Sequence, residues 1–291
     1  MDKSGQNIDK VLEQAWETRK LFFPDQIEFS APNRTLSVSV TGSSCSLSCA
    51  HCNGTYLQKM ATLETALASK KGREKSYLVS GGYDSQGKVP LLEKWAELEE
   101  LAYRGPLNLH TGLVTEGEAR RLAQIATVVS FDFMGDNEII NRVYGLSATV
   151  EDYLVSYRHL QKYVSVIPHI CVGLNGGVVG GEYETLKNLQ QESFEAISMI
   201  IFRPTEGTVF EDCEAPSVDE VAGFMATARL MFPRTPLYLG CMRPSGRYRE
   251  AVDTYALRAG FNKIVLPAPA ARLKAEELGL EVSISEECCS L

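Results

Sequence analysis

Two patterns of apolar positions alternate along the chain. Residues 8–22 (IDKVLEQAWETRKLF) place apolar side chains three and four apart, which predicts a leading helix. Short apolar, β-branched runs follow at 36–41, 76–80, 107–111, 127–132, 164–172, 197–202, 236–240 and 263–267. The amphipathic stretches among them predict helices near 57–70, 91–104, 116–125, 149–162, 182–193, 217–231, 247–259 and 270–278. Pro90, Thr149 and Ser217 suit helix starts, and Gly105, Gly260 and Gly279 suit helix stops. Strand–helix alternation implies a parallel sheet with helices outside. Eight units over about 230 residues predict an α/β fold of the closed (β/α)8, TIM-barrel type, with an open doubly wound sheet as the alternative. The expected division is a helical lead-in (1–35), the barrel (36–279) and a C-terminal tail (280–291).

Composition narrows the function classes. A chain of 291 residues buries roughly 75% of its unfolded surface and needs no disulfide staples. Lys+Arg 29 against Asp+Glu 37 gives a net charge of −8 without a basic block, which disfavours a nucleic acid partner. No apolar run approaches the ~20 residues of a membrane span, and MDKSGQNIDK has no apolar signal core. The expectation is a cytoplasmic protein with no membrane partner. In a reducing compartment, clustered cysteines point to metal or redox chemistry. Of the eight, Cys45, Cys49 and Cys52 crowd together, Cys288 and Cys289 nearly end the chain, and Cys171, Cys213 and Cys241 stand alone.

In a barrel of this type, active groups follow the strands at the C-terminal rim. The residues there are the 45–52 cysteine loop, Ser80-Gly81-Gly82, His110-Thr111-Gly112, Asp132, Cys171-Val172-Gly173, Arg203-Pro204 and Cys241-Met242-Arg243. The loop TGSSCSLSCAHCNG spaces its thiols as C-x3-C-x2-C. Three thiolates so placed can hold one four-iron cluster and leave one iron open to a ligand. A zinc site with His51 as fourth ligand is one alternative, and unrelated buried cysteines are another.

C-x3-C-x2-C after the first strand of such a chain resembles the radical S-adenosylmethionine (SAM) superfamily. The resemblance implies that Cys45, Cys49 and Cys52 ligate a [4Fe-4S] cluster whose open iron chelates SAM, and that SAM is cleaved reductively to a 5′-deoxyadenosyl radical. It puts His51 near the adenine and Ser80, Gly81 and Gly82 at the SAM amino group, although Tyr83-Asp84 follows where the family often has Glu. Asp132 suits the ribose hydroxyls, since a carboxylate accepts two such donors. Val172, Gly173 and Leu174 resemble the family's glycine-containing strand along the adenine. His110 is a candidate for contact with SAM or substrate, or a packed side chain.

The order of motifs over 8–270 is similar to biotin synthase and its relatives, among them the archaeal-type two-protein lipoyl synthases. HICVGLNGGVVGGE, RPTEGTVFED and CMRPSGRYRE carry the likeness. It implies an auxiliary iron–sulfur cluster in the barrel with Cys171 as a ligand. Position adds that Cys171 and Cys241 both fall at strand ends on one rim and that 280–285 can climb back to bring Cys288 or Cys289 over the mouth, which would make three thiolates for that cluster; the alternative is that Cys171 and Cys241 are small buried hydrophobes and the tail is frayed. The implied reaction is hydrogen abstraction followed by sulfur transfer to an octanoyl chain. Its implied partners are a reduced flavodoxin or ferredoxin, a second radical SAM protein and an octanoylated protein or peptide. Arg203 and Arg243 are candidate rim cations for a carboxylate. The rivals are a rearrangement, lyase or metal-cofactor maturation reaction without sulfur transfer, and a metal-stabilised binding module.

Overall fold

In the computed structural model, residues 3–69 and 74–291 are described. They form α1 (Lys3–Phe22), β1 (Gln26–Ser30), β2 (Thr35–Ser39), β3 (Ala61–Thr62), α2 (Leu63–Ala68), β4 (Ser76–Ser80), α3 (Trp95–Arg104), β5 (Leu107–His110), α4 (Glu116–Leu122), β6 (Val128–Asp132) and α5 (Asn137–Tyr144). There follow α6 (Val150–Gln161), β7 (Val166–Val172), α7 (Gly181–Leu189), β8 (Ile197–Ile201), α8 (Val218–Met231), β9 (Leu237–Leu239), α9 (Arg247–Arg258), β10 (Lys263–Val265), α10 (Pro269–Glu277) and β11 (Glu281–Ser285). The strands make one curled, parallel sheet in the order β3-β2-β4-β5-β6-β7-β8-β9-β10-β1-β11. The eight expected strands are β2 and β4 to β10, consecutive around the curl, so the architecture is the α/β barrel expected from the alternation.

Helix starts follow local chemistry. Thr115, Thr149 and Ser217 each accept a hydrogen bond from the backbone three residues on, and Glu118, Asp152 and Glu220 reach back to close capping boxes. Pro90 instead opens a 3-10 turn, Leu91–Lys94, that feeds α3. The expected helix 57–70 is interrupted, and its last residue lies outside the described residues. A 3-10 turn covers Thr55–Lys59, the chain extends through β3, and Thr62 caps α2 by accepting from Thr65 N at 3.1 Å. Helix α5 was not expected; Asp136 caps it and Gly145, at φ +67°, ends it.

Strand alternation divides apolar from polar. Leu107, Leu109, Val129, Phe131, Ile170, Ile197, Met199 and Ile201 are all buried and belong to the main apolar core. Burying each contributes roughly 1.5–3 kcal/mol. The opposite face carries Ser76, Asn108, Ser130, His169, Ser198 and Lys263, which are buried as well. Barrel interiors of this type are ordinarily packed with branched apolar residues. A polar interior leaves hydrogen-bonding groups facing one another and gives the barrel a chemically usable inside.

The sheet edges meet through the tail rather than a ladder. Ala31 N donates to Ser285 O at 2.9 Å and Arg34 N to Glu286 O at 3.1 Å, which joins the end of β11 to the start of β2. β11 pairs with β1, so 280–285 does climb in the strand direction. The residues after it turn into the lower barrel interior rather than across the mouth. Among the described residues no helix is long and apolar enough to cross a membrane.

Candidate functional site

The three-cysteine loop leaves β2 and is pinned on three sides. Val40 N donates to Ser80 O (2.8 Å), Ser46 N to Tyr83 O (2.8 Å) and Ala50 N to Val143 O (2.8 Å), while Ala50 O accepts from Phe210 N (3.1 Å). Cys52 N and Asn53 N both donate to Cys49 O (3.2 and 3.0 Å), and Asn53 at φ +41° and Gly54 at φ +72° turn the chain after the third thiol. Cys49 is buried, whereas Cys45 and Cys52 are partly accessible. A hydrogen bond from Cys49, with help from His51, holds the Cys52 thiol down to about 4 against the effect of burial. The same bond, with burial, pushes Cys49 up. Thiolate is the metal-binding form, and of this pair it is Cys52 that is favoured as thiolate while Cys49 keeps its proton.

The glycine pair serves this loop. A Cβ on Gly82 would fall 2.0 Å from Ser44 O and 2.5 Å from Cys45 Cα, and one on Gly81 2.8 Å from Val40 Cγ2. Gly82 N donates to Thr41 Oγ1 at 2.7 Å. The close backbone approach at this pair is to the cysteine loop itself. His51 packs edge-on against Tyr144, centroids 5.4 Å apart, and its Nδ1 is buried without a partner. Three thiols on one loop, a glycine cradle and an orphaned imidazole nitrogen fit a bound cluster and an organic ligand beside it. Among the described residues no three His, Cys, Asp or Glu side chains are gathered as around a metal ion, the three thiols of this loop included.

Below the loop, Asp132 lies with its Oδ2 3.8 Å from His110 Nδ1, and the His110 ring is 5.6 Å from that of His169. Burial pushes the Asp132 carboxyl up, but the neighbouring imidazoles of His110, His169 and His51 outweigh it and leave it below the ordinary range. Tyr83, Tyr144 and Tyr153 line a small cavity with Asp132, and burial raises all three phenols.

The 172–174 turn is set by a residue the sequence reading passed over. Glu182, buried at the start of α7, accepts from Gly173 N (2.7 Å), Leu174 N (3.2 Å) and Gly180 N (2.8 Å). Gly173 sits at φ +76°, where a Cβ would meet Pro216 at 2.7 Å. Val172 and Leu174 are buried, and the Val172 carbonyl accepts from Phe202 N (2.9 Å). The signal for Glu182 was a carboxylate directly after a glycine-rich loop and at a helix start, where free amides gather.

The two candidate arginines differ. Arg203 lies on the rim, 5.6 Å over the Tyr56 ring, in a groove of about 540 Å³ that also contains Asn53, Lys59 and Gly207. Arg243, expected as a free rim cation, is fully buried. Its Nε and Nη2 donate to the Asp253 carboxylate at 2.7 and 3.0 Å, Nη1 to Gly240 O at 2.6 Å and Nη2 to Leu266 O at 3.2 Å. Its fork is engaged in holding the β9 and β10 ends together.

The candidate auxiliary ligands lie at different levels of the barrel. Cys241 is exposed at the end of β9, and Cys171 is half-buried above His169 on the same strand face. Cys288 and Cys289 sit on the barrel floor, where Asn108 Nδ2 donates to Cys288 Sγ at 3.3 Å and Cys289 Sγ lies 3.6 Å from His169 Nε2.

Together these features define a parallel α/β barrel with a three-thiol loop at its mouth and a polar interior. Among solved structures the chain is similar to methylornithine synthase (PylB), with a TM-score of 0.69 and 14% identity over 97% of this chain and 90% of that one. It is likewise similar to the FeFe-hydrogenase maturase HydG from Carboxydothermus hydrogenoformans, with a TM-score of 0.69 and 15% identity over 94% of this chain and 72% of that one. At such identities the shared property is the fold. No protein-family model and no curated protein sequence matches the chain.

Proposed function

We propose that this chain is a radical SAM enzyme that abstracts hydrogen from carbon, with sulfur transfer to an aliphatic acyl substrate as the favoured outcome. The observation that carries the class is the pinned C-x3-C-x2-C loop at the mouth of a barrel with a polar interior. Cys45, Cys49 and Cys52 would hold a [4Fe-4S] cluster. When bound, that cluster supplies one electron to split the SAM sulfonium and an open iron to hold its amino and carboxyl groups.

The chain's own residues do the positioning. Gly82 lets the loop sit against β4. His51 offers its unpartnered Nδ1 to a ligand in the mouth. Asp132, kept ionised by His110 and His169, accepts hydroxyl donors such as those of a ribose. Glu182 fixes the turn that would flank an adenine ring. Arg203 and Lys59 give the rim groove positive charge suited to a carboxylate or an acidic electron donor such as a reduced flavodoxin or ferredoxin.

Sulfur transfer is supported by the thiol pair inside the barrel, where Cys289 lies against His169. A second protein of the same class and an octanoylated protein or peptide are the proposed partners. The barrel's likeness to a methylornithine synthase and a hydrogenase maturase favours as a second reading a rearrangement or maturation reaction without sulfur. Anaerobic reconstitution with SAM, dithionite and a panel of octanoylated peptide, dethiobiotin and amino acids separates these. Release of 5′-deoxyadenosine with a product heavier by one sulfur supports the first reading; release with no sulfur gained supports the second; no release refutes the class.

A further inference from the structure

The C-terminal tail is held inside the barrel by dedicated contacts. Thr35 Oγ1 donates to the Glu287 carboxylate at 3.2 Å, and the Ser76 hydroxyl also bonds it. Cys288 N donates to Thr35 Oγ1 at 2.9 Å. Lys263 Nζ reaches the carbonyl oxygens of Cys289 at 3.3 Å and Leu291 at 3.5 Å. These contacts fix the backbone on either side of two adjacent thiols.

Polar groups converge on one of them. Cys289 Sγ lies 3.6 Å from His169 Nε2, 3.8 Å from Ser198 Oγ and 3.7 Å from Ser290 Oγ, and the residue stays partly accessible. Cys288 is buried directly beside it. A small apolar residue would fill the same volume, but it would strip the buried His169 Nε2 of its partner. An imidazole against a partly accessible thiol is the arrangement of an activated sulfur nucleophile.

We infer that Cys289 is a sulfur-carrying nucleophile, which takes a sulfane sulfur from a persulfide or polysulfide donor and holds it on the barrel floor beneath the mouth. This rests on the sulfur-transfer reading above and names the form in which the sulfur waits. The Cys289 thiol gives its proton to His169, and its sulfur attacks the outer sulfur of the donor. The donor's S–S bond breaks as the new one forms, and its inner sulfur leaves as a thiolate that takes up the proton. No electrons are gained or lost overall. Cys288, adjacent in the chain, is placed to attack the loaded Cys289, forming a Cys288–Cys289 disulfide and releasing hydrogen sulfide when no substrate collects the sulfur.

Loading need not pass the SAM site. A groove of about 630 Å³ at the lower end of the barrel is lined by Ser76, Val128, Glu287, Ser290 and Leu291, so it reaches the residue next to Cys289 from the side opposite the three-cysteine loop.

The test treats the reconstituted full-length protein with glutathione persulfide under anaerobic conditions, alkylates it with iodoacetamide and reads each cysteine peptide by mass. One extra sulfur on Cys289, released by dithiothreitol, is expected. Cys288→Ser should still load, and hold the sulfur longer; Cys289→Ser should not load. His169→Gln, checked for native circular dichroism, should load more than about tenfold slower. Sulfur on Cys171 or Cys241 instead, or on no cysteine, overturns the inference. Release of 5′-deoxyadenosine from SAM is measured on the same samples. A protein that cleaves SAM but loads no sulfur defeats this inference alone, and one that loads sulfur but leaves SAM intact defeats the radical reading alone.

Discussion

Replacing Gly82 by Ala tests whether the glycine pair shapes the three-thiol loop. The new methyl would sit 2.0 Å from Ser44 O and 2.5 Å from Cys45 Cα, both backbone atoms that cannot swing aside. Reaching even 3.0 Å from Ser44 O demands a shift of about 1 Å in the segment that carries the first thiol. Overpacking of this kind costs roughly 1–3 kcal/mol. The shift also endangers the Gly82 N–Thr41 Oγ1 and Ser46 N–Tyr83 O hydrogen bonds, each contributing about 1 kcal/mol. The expected loss is therefore roughly 3–5 kcal/mol, concentrated where Cys45 must be aligned. Gly42→Ala is the control: it lies in the same loop at φ +60° but has nothing within 4 Å, so only a backbone cost of about 1–2 kcal/mol applies. Urea melts of the metal-free protein and iron content after anaerobic reconstitution are the assays. Gly82→Ala should lose both stability and most of its iron, and Gly42→Ala should keep its iron. Equal iron retention in the two variants would refute the argument.

Other outcomes follow from the same contacts. Arg243→Ala leaves the buried Asp253 carboxylate unpaired and should cost about 3–5 kcal/mol, seen as a thermal midpoint lowered by roughly 6–15 °C; an unchanged midpoint with weakened substrate binding would restore it as a rim cation. Glu182→Gln replaces an acceptor of three backbone N–H groups by an amide with one acceptor oxygen, and should cost about 2 kcal/mol or more. Faster hydrogen exchange confined to 173–181, with weaker SAM binding by calorimetry, would confirm it. Asp132 has its folded pKa depressed, so its stabilisation is complete above the unfolded carboxylate value near 4 and fades as pH falls through the lower folded value. Asp132→Asn should flatten the acid limb of a stability–pH profile, and an unchanged limb would contradict the pairing with His110 and His169.

The barrel was legible because apolar runs and amphipathic stretches alternate with little interference, and Thr149 and Ser217 announce their helices through capping chemistry. Strands β1 and β3 escaped notice for different reasons. QIEFS is short and lies beside a strong helix, and β3 is two residues inside a segment whose composition favours helix. The cysteine loop was readable from spacing alone. What spacing does not carry is the partner of each polar group: Arg243 follows a strand like a rim cation, yet ten residues on Asp253 claims it. The tail's direction was half visible. The run 280–285 does climb, but a polar barrel interior, formed by one residue in two across several strands, draws Cys288 and Cys289 beneath the mouth instead of over it.

Electron paramagnetic resonance of the anaerobically reconstituted, dithionite-reduced protein, before and after addition of SAM, is the most direct test of the three-thiol cluster. A four-iron signal that requires Cys45, Cys49 and Cys52 and changes shape when SAM is added is the predicted result. A signal indifferent to SAM, or one that survives loss of those three thiols, would contradict it.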